Sequence, residues 1–151
     1  MDSLRHFGFL LKDVSRLYSR NFERHAAALN LTLEQCRILT RLERHEGVSQ
    51  SRLAWLTDTD PMTIGRVVDR MEGDGLLERR PDPADRRVRL LFLTPAARPA
   101  LQRIRQLADR ARAEALSGLS TQDQQQLLAL MERLHANLDA LVPGRGGGGC
   151  S

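Results

Sequence analysis

Hydrophobic residues recur at steps of three and four along most of the chain, which is the spacing of one helix face. A long amphipathic helix is predicted over about residues 4–28. Two more long helices are predicted towards the other end, one from residue 95 to about 116 and one that Ser120 opens. The first and last of these carry extended apolar stripes, formed by Phe7, Leu10, Leu11, Val14, Leu17, Tyr18 and Phe22 and by Leu127, Leu130, Met131, Leu134, Leu138 and Leu141.

Capping residues predict three shorter helices between the long ones. Thr32 with Gln35 three residues later is a capping-box pattern that opens a second helix. Ser49 is placed to cap a short third helix, and Asp60 followed by Pro61 opens a fourth. The apolar side of this fourth helix consists of Ile64, Val67, Val68 and Met71.

The hydrophobic period changes after the fourth helix. Residues 76–80 and 88–94 are short strand-like runs, and the segment 81–85 between them contains two prolines and predicts a hairpin loop. Thr94 followed by Pro95 is then predicted to cap the next long helix. The expected fold class is therefore mainly α, with one small β-hairpin.

The order of the elements predicts two lobes. Residues 33–94 are expected to form a helix-turn-helix lobe with the hairpin beside it. Residues 1–32 and 95–142 expose apolar stripes, so we expect them to pack together, and against a second copy, in a helical dimerisation lobe. Residues 143–151 are rich in glycine and are predicted to be a flexible tail.

Composition narrows the function classes. The 151 residues include 23 basic and 19 acidic side chains, and all the basic ones except Lys12 are arginines, whose planar fork of donors suits phosphate and guanine. Aromatic residues make up 4%, too few for a base-stacking RNA surface. The longest apolar run is far shorter than the roughly 20 residues that a membrane helix needs, and no secretory signal begins the sequence, so we expect a cytoplasmic protein without a membrane partner.

The polar face of the fourth helix predicts contact with DNA. A short helix, a tight turn and a second helix with small or hydrogen-bonding residues outside are typical of a helix-turn-helix. Arg66 is predicted to read guanine through a bidentate contact, and Asp69 to pair with Arg66 one turn earlier. An ordinary surface helix shares this pattern and is the alternative. The candidate contacts on this helix are Pro61, Met62, Thr63, Gly65, Arg66 and Arg70.

Arginines also surround the hairpin loop, with only Asp82 and Asp85 as expected counter-charges. A stiff loop that carries arginines is suited to the DNA backbone or a narrow minor groove, where the potential is most negative. Arg86 and Arg87 are the predicted contacts of this wing, and Asp85 is predicted to orient Arg87. A solvated charge cluster on an ordinary hairpin is the alternative interpretation.

Four segments together resemble the MarR family of bacterial transcription regulators: Asp60–Glu72, Gly75–Arg79, Asp82–Arg87 and Leu91–Thr94. The most specific part is Asp-Arg-Arg at 85–87 followed by Leu-Phe-Leu-Thr at 91–94, and the likeness extends over about residues 4–142. It implies a homodimeric winged helix-turn-helix protein that binds a pseudo-palindromic operator. It also implies a repressor that a phenolic or other amphipathic small molecule releases from DNA.

The resemblance places the effector between the two lobes. The candidate ligand residues there are Asp13, Arg16, Leu17 and Cys36, although each is equally well explained as core or surface charge. Cys36 lies among apolar residues and is expected to be a buried structural thiol. A redox-responsive regulator that uses Cys36 or Cys150 is one alternative, and a sequence-tolerant architectural DNA binder is another.

No cofactor, metal or enzymatic site is predicted. The four histidines lack the spacing of a zinc site, and the sequence contains neither a phosphate-binding glycine loop nor a nucleophile elbow. A different class of protein, a helical dimerisation adaptor that does not bind DNA, fits the same helices and is kept as a further alternative.

Overall fold

The structure, a computed structural model, describes residues 3–142. Within that range six α-helices and three short strands follow one another, and the predicted mainly α fold with a small hairpin is confirmed. Their bounds are α1 Phe7–Ala26, α2 Leu33–Arg44, β1 Val48–Ser49, α3 Gln50–Leu56, α4 Pro61–Gly73, β2 Leu77–Pro81, β3 Arg89–Leu93, α5 Ala97–Ala115 and α6 Thr121–Leu141.

The helices begin where their capping residues predict. The hydroxyl of Thr32 accepts from the backbone N–H of Gln35, whose side chain in turn accepts from the backbone N–H of Thr32. Ser49, Asp60 and Ser120 likewise cap α3, α4 and α6 through their side-chain oxygens. Each cap satisfies an N–H group that has no partner inside its helix, which fixes the first turn.

The three strands form one antiparallel sheet in the order β1–β3–β2. Leu77 lies opposite Leu93 in the hairpin, and Val48 lies opposite Leu91 across the outer pair. Strand β1 was not predicted, because its two residues are too short to show an alternating pattern.

The predicted cap of α5 is wrong. The hydroxyl of Thr94 donates to the carbonyl of Gly75, and the backbone N–H of Thr94 donates to the carbonyl of Leu76 at 3.1 Å. Thr94 therefore continues the hairpin pairing, and α5 begins only at Ala97, without a side-chain cap.

One hydrophobic core lies between α2, α3, α4, the sheet and the first half of α5. The apolar side of α4 faces it as predicted, with Ile64, Val68 and Met71 buried and Val67 packed against them. This packing fixes which face of α4 points outwards. The largest fully buried side chains are Ile38, Leu39, Leu42, Leu53, Ile64, Met71, Leu77, Leu91, Val68 and Cys36.

Helix α1 is held against α5 by polar contacts near its end. Asn21 and Arg24 donate to Oε2 of Glu114 at 3.3 and 3.0 Å, and Nε2 of His25 lies 2.6 Å from Oε1 of the same side chain. Glu114 thus ties the two helices together.

Two helices expose their apolar stripes. Between residues 121 and 142 no side chain is buried, so α6 adds nothing to the core of a single chain. Helix α1 buries only Ala26. The exposed large apolar residues of the two helices are Phe7, Phe9, Leu10, Leu11, Val14, Leu17 and Tyr18, and Leu127, Leu128, Leu130, Met131, Leu134, Leu138 and Leu141. In residues 3–142 no helix is both long and apolar enough to span a bilayer.

Candidate nucleic-acid interface

A tight turn joins α3 to α4 and sets the start of α4. Asp58 adopts a left-handed conformation with φ of 51°, and the hydroxyl of Thr57 donates to the carbonyl of Leu53 at 2.9 Å. Asp60 then accepts from the backbone N–H of Thr63 at 2.9 Å. Hydrogen bonds from Thr63 hold the pKa of Asp60 below its ordinary value, so this cap is charged at neutral pH.

The candidate DNA contacts of α4 lie along its first three turns. Pro61, Met62, Arg66 and Arg70 are exposed, and 71% of the surface of Met62 is open to solvent. The remaining two, Thr63 and Gly65, are half-buried. The structure therefore brings these residues onto one element, while their contact with bases remains a prediction.

Asp69 pairs with a different arginine from the one predicted. Its Oδ1 lies 2.6 Å from Arg79 on β2, not at Arg66. The strand that follows α4 folds back along the helix, and Arg79 also reaches Glu72 at 3.1 Å. Arg66 makes no ion pair or hydrogen bond within the described part of the chain, so its guanidinium is available to a ligand.

The arginines around the hairpin are more strongly neutralised than expected. Arg79 is bound by the acids of α4, and Arg80 pairs with Glu78 and stacks on the ring of Phe92, 4.1 Å from the ring centre. Sequence reasoning missed Glu72 and Glu78 as counter-charges because both lie outside the loop. Arg79 and Arg80 therefore stabilise the wing, leaving other arginines to face a ligand.

The loop of the wing is closed by its own hydrogen bonds. Asp82 accepts from the N–H of Ala84 at 2.9 Å, and the N–H of Val88 donates to the carbonyl of Asp85 at 2.9 Å. The carboxylate of Asp85 accepts from the backbone N–H of Arg87 at 3.1 Å and lies 3.4 Å from its Nε. The side chain of Arg87 is 95% exposed, so it projects from the tip of a closed loop.

The four candidate ligand residues do not line a common groove. A groove between α1 and α2 includes Arg16 but not Asp13, Leu17 or Cys36. Asp13 accepts from Arg16 at 3.2 Å, Leu17 lies on the exposed apolar stripe, and Cys36 belongs to the core. Their ligand role stays a prediction. The groove residues are Leu11, Lys12, Ser15, Arg16, Ser19, Arg20, Glu23, Leu33 and Arg37.

Cys36 is 2% exposed, and burial raises the pKa of its thiol to about 11. The thiolate is the reactive form, so we expect Cys36 to resist a thiol reagent at pH 7 until the chain unfolds. A titration with Ellman's reagent, with and without denaturant, measures this; the variant Cys150→Ser removes the other thiol.

Rapid labelling of native Cys150→Ser would contradict this expectation. The raised pKa also predicts that the stability contributed by the protonated thiol is fully present below the unfolded pKa and is lost as the pH rises towards 11. Cys150 lies outside the described residues.

No metal site is evident where the structure can be described. Residues 3–142 contain no group of three or more His, Cys, Asp or Glu side chains close enough to hold an ion.

Comparison with known proteins finds a matching family model and a similar transcriptional regulator. The model of the MarR family matches residues 31–88, which contain the helix-turn-helix and most of the wing. The uncharacterized HTH-type transcriptional regulator YybA of Bacillus subtilis is 25% identical over 138 residues, which is 91% of this chain and 89% of the relative.

Solved structures share the fold over most of the chain. A "probable transcriptional regulator" from Pseudomonas aeruginosa is 35% identical, with a TM-score of 0.69 over 85% of this chain and 96% of that one. Bordetella bronchiseptica BpsR, whose DNA binding is regulated by 6-hydroxynicotinic acid, is 25% identical with a TM-score of 0.74, over 86% and 98%. A MarR variant from E. coli complexed with operator DNA is 22% identical with a TM-score of 0.72, over 89% and 99%.

Proposed function

Because this chain belongs to the MarR family of DNA-binding transcription regulators, we propose that it is a repressor that binds a pseudo-palindromic operator as a homodimer and leaves it when an effector binds. It acts in the cytoplasm, has no enzymatic activity and needs no cofactor. The observation that carries the DNA-binding part is the division of arginines around α4 and the wing. Arg79 and Arg80 are held by nearby acids, whereas Arg66 makes no ion pair within the described residues and Arg87, which lies 3.4 Å from Asp85, keeps a side chain that is 95% exposed.

The two elements suit two grooves of the same duplex. Helix α4 enters the major groove, where Arg66 reads guanine and Met62 or Thr63 approaches neighbouring bases. The wing reaches along the backbone to the minor groove, where the 95% exposed side chain of Arg87 meets the most negative potential. Arg70 and Arg86 lie beside these contacts and bind phosphates.

The homodimer is supported by the exposed stripes of α1 and α6. A continuous apolar surface of this extent is covered in a stable protein, and a second copy carries the same stripes. A two-fold dimer presents two α4 helices to half-sites about one helical turn apart. Residues 1–32 and 95–142 form this dimerisation lobe, and residues 33–94 form the DNA-binding lobe.

The test is a comparison of specific and non-specific binding. A duplex selected by this protein from a random-sequence pool, and a scrambled version, are titrated by fluorescence anisotropy over a series of salt concentrations. We expect at least about a 10³-fold preference for the selected duplex. Equal, steeply salt-dependent binding would favour an architectural DNA binder, and no binding at low salt would favour the dimerisation adaptor.

The groove between α1 and α2 supports an anionic effector. Lys12, Arg16 and Arg20 recur at every fourth residue of α1, and Arg37 lines the same groove from α2. Asp13 pairs with Arg16 and Glu34 with Arg37, each at 3.2 Å, so Lys12 and Arg20 add the positive charge that is unpaired within residues 3–142 to a groove whose one acidic lining residue is Glu23. Leu11 and Leu33 supply apolar surface in the same groove, which therefore suits an amphipathic carboxylate such as an aromatic acid. The regulation of BpsR by 6-hydroxynicotinic acid supports this class of ligand.

Replacing two arginines of the groove by neutral residues is expected to make the regulator less sensitive to its proposed effector. Arg16→Gln combined with Arg20→Gln should raise the concentration of aromatic carboxylate that releases the selected duplex by about 100-fold or more, since each lost charge-assisted contact contributes about 1.5–3 kcal/mol. Salicylate, 6-hydroxynicotinic acid and neutral phenol are the probes. Arg98→Gln, in a different groove, is the matched control. Equal release of all three proteins would place the effector elsewhere.

A further inference from the structure

Gln50 has its side-chain amide held in one orientation by Arg79. Both Nε and one terminal nitrogen of Arg79 donate to Oε1 of Gln50, each at 3.1 Å. An arginine has only donors, so the atom it binds must be the amide oxygen, and this fixes the position of Nε2. The two N–H groups of that nitrogen have no protein acceptor within residues 3–142, and the atom is not buried.

The position of this nitrogen beside α4 is also defined. A β-carbon at position 65 would lie 3.5 Å from Nε2 of Gln50, so the amide rests against the bare backbone of Gly65. Gly65 is followed directly by Arg66, the predicted base-reading residue. The acids that hold Arg79, Asp69 and Glu72, lie on the same flank of α4 as Gly65. The donor is therefore fixed at the edge of the DNA-facing surface.

We propose that Gln50 is a further DNA-binding residue, which donates from Nε2 to a phosphate oxygen next to the bases read by α4. The first helix of a helix-turn-helix crosses the backbone of the duplex, and neutral amides commonly donate to phosphates there. Arg79 is the positioning residue, because its own donors are bound by Gln50, Asp69 and Glu72 and it holds the Gln50 amide in one orientation.

This inference rests on the proposed DNA-binding function, and a matched substitution tests it. Gln50→Glu keeps an oxygen for Arg79 and exchanges the donor for a second acceptor. We expect an unchanged or higher Tm, and binding of the selected duplex about 10- to 100-fold weaker, because a hydrogen bond to a charged group is lost. Gln106→Glu on the exposed surface of α5 adds the same charge away from the interface and is the control.

A methylphosphonate scan separates a contact from long-range repulsion. Each phosphate of the selected duplex is neutralised in turn, and the penalty of Gln50→Glu is measured on every duplex. A penalty that disappears at one phosphate in each half-site supports the contact. A penalty spread evenly over all phosphates, or wild-type affinity of Gln50→Glu, would overturn the proposal. If Gln50→Glu binds the selected duplex like the wild type while Arg66→Ala binds it weakly, this inference alone is refuted. If both variants bind the duplex like the wild type, the proposed DNA interface is refuted.

Discussion

Replacing Arg66 by alanine is expected to weaken binding of the selected duplex by about 1–3 kcal/mol and to remove the preference for guanine at one position of each half-site. The side chain has no ion pair or hydrogen bond within the described residues, so its loss should leave Tm unchanged. Anisotropy titrations against duplexes with each of the four base pairs at that position measure both effects. A change in Tm without a change in base preference would contradict the assignment.

The Arg87→Ala variant is expected to change DNA binding in a different way from Arg66→Ala. Because the exposed side chain of Arg87 is proposed to meet the DNA backbone and the minor groove, its removal should weaken binding of selected and scrambled duplexes to similar extents and reduce the salt slope by about two, one for each subunit of the dimer. Base preference at the Arg66 position should persist. Two variants with the same profile would mean that α4 and the wing do not have separate roles.

The largest effect is expected from a charge placed in the proposed dimer face. Leu134 lies in the middle of the exposed stripe of α6, and Leu134→Glu would place a carboxylate from each subunit in the proposed apolar interface. We expect the mass in sedimentation velocity to fall from twice 17.0 kDa to 17.0 kDa. Affinity for the selected duplex should fall by more than about 100-fold, because a monomer engages only one half-site.

Gln125→Glu controls for the added charge, since residue 125 lies on the opposite side of the same helix. It should remain dimeric and bind DNA normally. A Leu134→Glu protein that keeps the dimer mass would place the interface elsewhere and would leave the exposed stripe of α6 without an occupant.

Local chemistry accounts for what the sequence predicts well. The caps at Thr32, Ser49, Asp60 and Ser120 each depend on a side chain and an N–H three residues later, so they can be inferred without knowing the fold. The outward face of α4 follows from its apolar side for the same reason. These features position the candidate DNA contacts of α4.

Features that depend on distant partners could not be predicted in this way. Thr94 has the pattern of a helix cap, but its hydroxyl is taken by Gly75, nineteen residues earlier along the chain. Asp69 has an arginine one turn away, yet the hairpin delivers Arg79 to it. The contact between Gln50 and Arg79 spans 29 positions and leaves no periodic signal.

The proposed effector site shows the same limit. Helix periodicity indicates that α1 and α2 have buried and exposed sides, but not which exposed sides face each other. Arg16 lies on the groove, whereas Cys36 turns into the core. Only the fold shows that Arg37 of α2 lines the same groove as the cations of α1.

Lys12 lies on that groove and is the only lysine of the chain. Acetylation neutralises lysine but does not act on arginine guanidinium groups. Every cation proposed to contact DNA is an arginine, so acetylation of Lys12 would remove one positive charge from the groove between α1 and α2 and leave the charges of α4 and the wing unchanged.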